Sequence, residues 1–207
     1  MEITNIIYKP LYFIIQTIWI ILRIIHPIIL KVRYILYSIY MCVRLRTKRV
    51  AFLFPVSKIM NPEFIEIDEG SSFGRLAVIT TWPQTNQKPP KLKIGKNCNF
   101  GDFIHLTSSN SVTIGDNVLT GRWVTITDNS HGDTNRECLK IPPEKRPIFS
   151  KGSVVIEDNV WIGDKVTILP NTRIGKGSII GANSVVAHDI PAYSIVVGNP
   201  ARILSNN

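Results

Sequence analysis

Four histidines, His26, His105, His131 and His188, are the side chains of this chain best suited to moving a proton near neutral pH. His131 stands apart from the other three. It closes the unit Ile126-Thr127-Asp128-Asn129-Ser130-His131, and Gly132-Asp133-Thr134-Asn135-Arg136 then opens a stretch without repeat that returns near Ser150. A long loop carried by a rigid scaffold is where substrate contacts gather. An imidazole at its root could take the proton of a hydroxyl as that oxygen attacks an acyl carbon. Asp128 could orient the ring, or it could face solvent at a corner. His26 lies beside Pro27 in an apolar stretch, where a structural or interfacial role suits it better.

Other chemistries find no residues to carry them. Cys42, Cys98 and Cys138 make neither a C-x-x-C pair nor an even set, which argues against a disulfide framework or a cysteine zinc site and fits a reducing compartment. No close histidine pair suggests a metal, and no G-x-S-x-G marks a nucleophile elbow. Gly175, Gly177 and Gly181 do not fit G-x-G-x-x-G and belong to a different pattern.

That pattern is the scaffold. Ile67, Phe73 and Ile79, then Ile94 and Phe100, then Ile114, Thr120 and Ile126 each open a six-residue unit. After the excursion Ile156, Ile162, Ile168, Ile174, Ile180 and Val186 resume in the same phase. Six residues advance a helix by about 600°, so a helix has no use for this period. A coil of short strands does, with one apolar side chain per strand pointing inward and stacking on its counterpart one turn away. A one-residue slip would expose the whole ladder, which fixes the register.

The remainder of the chain differs in kind. Of the net charge of +9, all but +2 lies in the first 50 residues, which hold eight basic side chains and one acid, so the protein is not a basic coat for nucleic acid. Ile3 to Val43 is dense in Ile, Leu, Tyr and Trp, with Lys9, Gln16 and Arg23 seven apart on one helical stripe. Pro27 is expected to kink or end the first helix, giving a bent helix or hairpin. The uncharged run Pro10 to Leu22 falls short of the roughly 20 residues that cross a bilayer, so spanning is not favoured. Tyr8, Tyr12, Trp19, Tyr34, Tyr37 and Tyr40 suit a headgroup region, and the cationic edge suits an anionic leaflet. Packing between sister subunits is the alternative. The division is thus 1–45 apolar, basic and helical, in peripheral contact with a membrane; 46–66 a connector; and 67–204 a mainly β coil with an excursion over 132–150.

The residues themselves carry a resemblance. Ile114-Gly115-Asp116-Asn117-Val118-Leu119 and Ile162-Gly163-Asp164-Lys165-Val166-Thr167 resemble the repeats of the hexapeptide acyltransferases. Val160-Trp161-Ile162-Gly163, Ile180-Gly181-Ala182-Asn183-Ser184-Val185-Val186 and Gly198-Asn199-Pro200-Ala201 resemble the sugar O-acetyltransferase branch. The resemblance implies a left-handed parallel β-helix, a homotrimer with active sites between subunits, acetyl-CoA as co-substrate, a sugar or glycan acceptor, and no metal or permanently bound cofactor. Asp128-Asn129-Ser130-His131-Gly132 is similar to the family's histidine motif, which makes His131 the base. The resemblance brings Trp161 and Asp164 to the thioester and pantetheine arm, Ala182 to the pantetheine, and Ala187 and His188 to the coenzyme where Thr-Lys is usual. Arg202 is a candidate for the coenzyme's phosphates because a guanidinium pairs well with them. Asp102, Arg146 and Trp161 are candidates for the acceptor, Arg146 because prolines stiffen the returning loop.

The expected function is O-acetylation of a sugar hydroxyl during assembly of a surface polysaccharide or glycolipid, in the cytoplasm at the inner face of the membrane. N-acetylation of an amino sugar and a non-catalytic trimeric scaffold are the alternatives. A carbonic anhydrase on such a coil would need three metal-binding histidines and is excluded.

Overall fold

The computed structural model describes residues 2–53, 58–84 and 88–206, with side chains from Leu11 to Ser205 within them. The side chains of Tyr8 and Lys9 lie outside the described residues.

Inward aliphatic residues at every sixth position stack into three parallel sheets, which the chain visits in rotation. The first face holds Ala51–Phe52, Ser72–Phe73, Asn99–Phe100, Leu119–Thr120, Trp161–Ile162, Ile179–Ile180 and Ser194–Val197. The second holds Lys58–Met60, Val78–Thr81, His105–Ser108, Thr125–Thr127, Thr167–Ile168 and Val185–Val186. The third holds Ile65–Ile67, Lys91–Ile94, Ser111–Ile114, Val154–Ile156 and Thr172–Ile174. Register places like on like: Phe73 beside Phe100, Ile126 beside Leu106 and Ile168, Ile156 beside Ile114 and Ile174. Every position of the six-residue ladder is buried, Ile67 being the most exposed at 6%. Between faces the corners need left-handed backbone, which Asn117, Asn159, Asn171 and Asn183 tolerate better than most residues.

The coil begins one turn earlier than the six-residue register suggests. Ala51–Phe52 pairs with Ser72–Phe73 and Ile65–Ile67 with Leu92–Ile94, so most of the expected 46–66 connector is coil. Its inward residues Phe52, Ile59 and Ile65 are spaced seven and then six, which breaks the strict period.

The amino-terminal segment is one helix, α1 (Glu2–Arg44), rather than a hairpin, and it runs through Pro27. A proline costs a helix interior about 3 kcal/mol, but long helical arms on both sides sustain the ladder. Every side chain from Leu11 to Ile29 is exposed, so no packing within the chain favours a turn there. Uninterrupted, the helix is by length and composition long and apolar enough to cross a membrane, where the short uncharged run Pro10 to Leu22 had not favoured spanning.

Its last turns close the end of the coil. Met41 and Leu45 are buried with Val50 and Phe52, and Phe52, Phe73 and Phe100 stack with centroids 4.9 and 4.7 Å apart. The Ser38 hydroxyl accepts from the Phe52 amide at 3.0 Å and donates to the Phe52 carbonyl at 3.2 Å, which satisfies the outermost strand of the first face.

Candidate active site

The corner after Thr125–Thr127 is built around a carboxylate. Asp128 is fully buried and accepts from the Ser108 hydroxyl (2.9 Å), the Ser109 and Asn110 amides (2.8 and 2.9 Å) and the Asn129 side-chain amide (2.9 Å). Its acceptor sites go to the corner, not to an imidazole or to solvent. This corrects both sequence expectations for Asp128. A buried carboxylate needs such partners, and the backbone amides of the neighbouring turn supply them.

The chain then leaves the coil. Ser130–His131 pairs antiparallel with Ile148–Phe149, and the His131 side chain is exposed at the base of this two-strand stem. Gly132 follows with φ +80°, where a Cβ would lie 2.5 Å from Cys138 Sγ and 2.8 Å from Arg146 Cδ, so glycine is required. The excursion folds on itself through a short helix, α2 (Arg136–Leu139), capped by the Asn135 side chain. Arg146 donates to the Ile141 and Leu139 carbonyls at 2.8 and 3.2 Å. Arg146 therefore ties the loop closed instead of presenting its guanidinium to an acceptor, a second correction.

His131 opens onto a groove of 350 Å³ along the second face, shared with Trp82, His105, Thr107, Thr125 and Thr127. The Trp82 indole donates to the Thr107 hydroxyl at 3.1 Å. His105 and Thr125 sit side by side in adjacent strands. The His105 ring is partly exposed, yet desolvation lowers its pKa below the usual histidine value, which keeps it neutral at neutral pH. A neutral imidazole, an indole and several hydroxyls form a surface suited to a polyhydroxylated ring, with His131 at its edge. Sequence reasoning followed the inward residues and did not assign His105, Trp82 or Thr125 to the site. For His105 and Thr125 the signal was present, since each precedes a buried ladder residue and must point outward.

The corner between the first and second faces carries a charge ladder. Arg75 donates through its amide to Asp102 Oδ1 at 2.7 Å and through Nη2 to Oδ2 at 2.6 Å; two turns on, Arg122 does the same to Asp164 at 2.8 and 3.1 Å. The Arg75 guanidinium holds the Asp102 carboxyl below its ordinary 3.8, and the Arg122 amide and guanidinium do so for Asp164. These ties are intact above the ordinary carboxylate value and are lost only as pH falls below it. Asp102 and Asp164 are thus engaged in joining turns, where the sequence suggested acceptor and coenzyme contacts.

The remaining coenzyme candidates are spread over the surface. Trp161 is 51% exposed on the first face, between Leu119 and Ile179. Ala182 lies at the corner beyond it, its amide so near Gly163 that a Cβ there would sit 2.6 Å away. Ala187 and His188 are exposed after Val185–Val186, and Arg202 is exposed at the start of the final antiparallel strand Arg202–Asn206. Within one chain, Trp161 and His131 occupy different faces.

Residues 153–188 match the bacterial transferase hexapeptide model of six repeats. Over 112 residues the chain is 42% identical to WbbJ of Escherichia coli, named for O-acetyl transfer in lipopolysaccharide biosynthesis; the match covers 52% of this chain and 57% of that protein. A galactoside O-acetyltransferase of Lactococcus lactis is 36% identical over 115 residues, covering 53% of each. The chain spans about half the length of these curated relatives. Among solved structures, a variant of the N-acyltransferase AntD from Bacillus cereus shares the fold, with a TM-score of 0.63 at 20% identity over 78% of this chain and 82% of that one. A recurring six-residue ladder, a repeat match inside it and relatives at 36–42% identity over about half their length make this chain similar to the hexapeptide-repeat transferases.

Proposed function

We propose that the protein transfers an acetyl group from acetyl-CoA to a sugar hydroxyl of a surface polysaccharide or glycolipid precursor, with His131 as general base. The observation that carries this reading is the exposed imidazole at the stem of the excursion, opening on a groove walled by indole and hydroxyl groups. Similarity to proteins named as O-acetyltransferases over about half of this chain supports it. In the reaction, His131 takes the hydroxyl proton as the sugar oxygen bonds to the thioester carbonyl carbon. The C–S bond then breaks, and the imidazolium returns the proton to the departing thiolate, leaving an ester and free coenzyme A. A corner amide stabilises the transient oxyanion.

The coil is wound left-handed in this proposal, and three chains assemble so that a neighbour's Trp161 face meets the His131 groove. That arrangement accounts for an exposed indole with nothing of its own chain over it. Ala182, Ala187, His188 and Arg202 line the coenzyme's path. The amino-terminal helix holds the enzyme against an anionic membrane surface on the cytoplasmic side, which raises its effective concentration toward lipid-linked glycans.

Incubation with acetyl-CoA and a sugar panel tests the chemistry. The expected product gains one acetyl group and loses it in mild alkali, with stoichiometric thiol release; an alkali-stable product would assign N-acetylation, and none at all would return the protein to a scaffold. A second test removes residues 1–30 and spares the turns that close the coil. This truncated protein is expected to lose flotation with phosphatidylglycerol vesicles while keeping its β circular-dichroism spectrum; retained flotation removes the membrane role from α1.

A further inference from the structure

A trough of 820 Å³, larger than the His131 groove, lies between the last turns of α1 and the segment from Val50 to Leu53. Its volume falls in the roughly 300–1,000 Å³ range of small-molecule sites. Ile35, Ile39, Val43, Phe52 and Leu53 line it with carbon. Two of its polar side chains are already used, Ser38 on Phe52 and the Cys42 thiol on the Val50 carbonyl at 3.3 Å. At 1.5 Å per residue, Lys31 and Arg46 mark the two ends of a channel about 20 Å long, against about 15 Å for the hydrocarbon depth of one leaflet.

The trough itself is lined by basic side chains and no acid, although Arg46 also borders an adjoining groove lined by Glu63, Glu66 and Asp68. Arg46, Lys48 and Arg49 line the mouth of the trough; Glu69 reaches only Arg49, at 3.5 Å on the exposed side. The chain turns sharply at this end of the helix. The Arg46 amide bonds the Val43 carbonyl and the Thr47 amide bonds the Cys42 carbonyl, a helix ending whose left-handed residue is usually glycine. Arg46 holds that place at φ 51°, and Arg49 follows at φ 53°. Two arginines thus occupy conformations that an L side chain resists, at the rim of an apolar channel.

We infer that this trough binds one anionic phospholipid, its acyl chain lying along α1 and its phosphate held by Arg46 and Lys48. Carbon walls alone would accept any alkyl chain; the basic side chains at the mouth, with no carboxylate lining the trough, select a phosphate without a compensating choline. The inference rests on the membrane role proposed for α1 and adds a discrete site to it. It leaves the acetyl-transfer chemistry untouched.

Native mass spectrometry of the full chain from detergent micelles supplied with phosphatidylglycerol or phosphatidylcholine of matched chains is the test. One phosphatidylglycerol per chain should be retained at least tenfold more than phosphatidylcholine, and glycerol phosphate, which lacks the chains, should not be retained. Arg46→Gln combined with Lys48→Gln should cut phosphatidylglycerol retention about tenfold, and Arg46→Lys should preserve it. Val43→Trp, which adds bulk at the trough, should reduce both lipids. Equal retention of the two lipids overturns the inference, as does an Arg23→Gln loss equal to that of the rim pair, or a lipid-independent dimer that Val43→Trp abolishes. A protein that floats with vesicles yet retains no lipid would refute the trough alone and leave the membrane role standing.

Discussion

Replacing His131 with alanine should lower acetyl transfer by about 100-fold to 10,000-fold, the usual contribution of a positioned base, and leave thermal unfolding unchanged. The stability half of this expectation follows from geometry. The imidazole is exposed, and the strand pairing of Ser130–His131 with Ile148–Phe149 is made by backbone, which alanine retains. The activity half follows from chemistry, because the groove's lining holds one other imidazole, His105, and no carboxylate. The two histidines are separable. His105 sits on the groove wall, where desolvation lowers its pKa and favours the neutral ring, so it can bond a hydroxyl without needing to gain a proton. His105→Asn should therefore act mainly through KM, whereas His131→Ala should act mainly on kcat. Steady-state rates for both variants, with coenzyme A release followed spectroscopically, decide between them. If the losses are reversed, the base is His105 and the role of the excursion stem must be redrawn.

What the sequence disclosed and what it withheld divide along a physical line. The ladder from Ile67 to Val186 was legible because burial acts on one residue at a time, and each side of the coil repeats the same requirement six places later. The stem of the excursion was legible for the converse reason, since His131 stands where that requirement lapses. Phe52, Ile59 and Ile65 obey the same burial without the strict spacing, so the first turn reads as a connector. The groove was not legible as a unit. Trp82, His105, Thr125 and His131 come from different turns, and only parallel stacking brings them onto one face. Pro27 misled in the opposite direction, because a local preference for breaking a helix is outweighed where nothing nearby rewards the break.

Asp128 gives the second large effect, and its direction separates two roles for the same residue. A carboxylate that only oriented His131 would, when changed to asparagine, lower the rate and leave the fold intact. The corner geometry demands another outcome. Asp128→Ala strands two backbone amides, a hydroxyl and a side-chain amide in a buried place. Each unsatisfied group costs about 1–3 kcal/mol, less where water enters the vacated space. The sum should be about 3–5 kcal/mol, or roughly 6–20 °C in Tm for a chain of this size. Asp128→Asn preserves the shape and one acceptor but turns an N–H toward a donor, and should lose roughly half as much. Activity should fall in both variants, because Asn129 and His131 leave the coil from this corner, and it should fall in proportion to the loss of stability. Differential scanning calorimetry beside acetyl-transfer rates measures the relation. An Asp128→Asn protein with wild-type Tm and a hundredfold slower reaction would place the carboxylate against the imidazole after all, and would require the corner to rearrange when substrate binds.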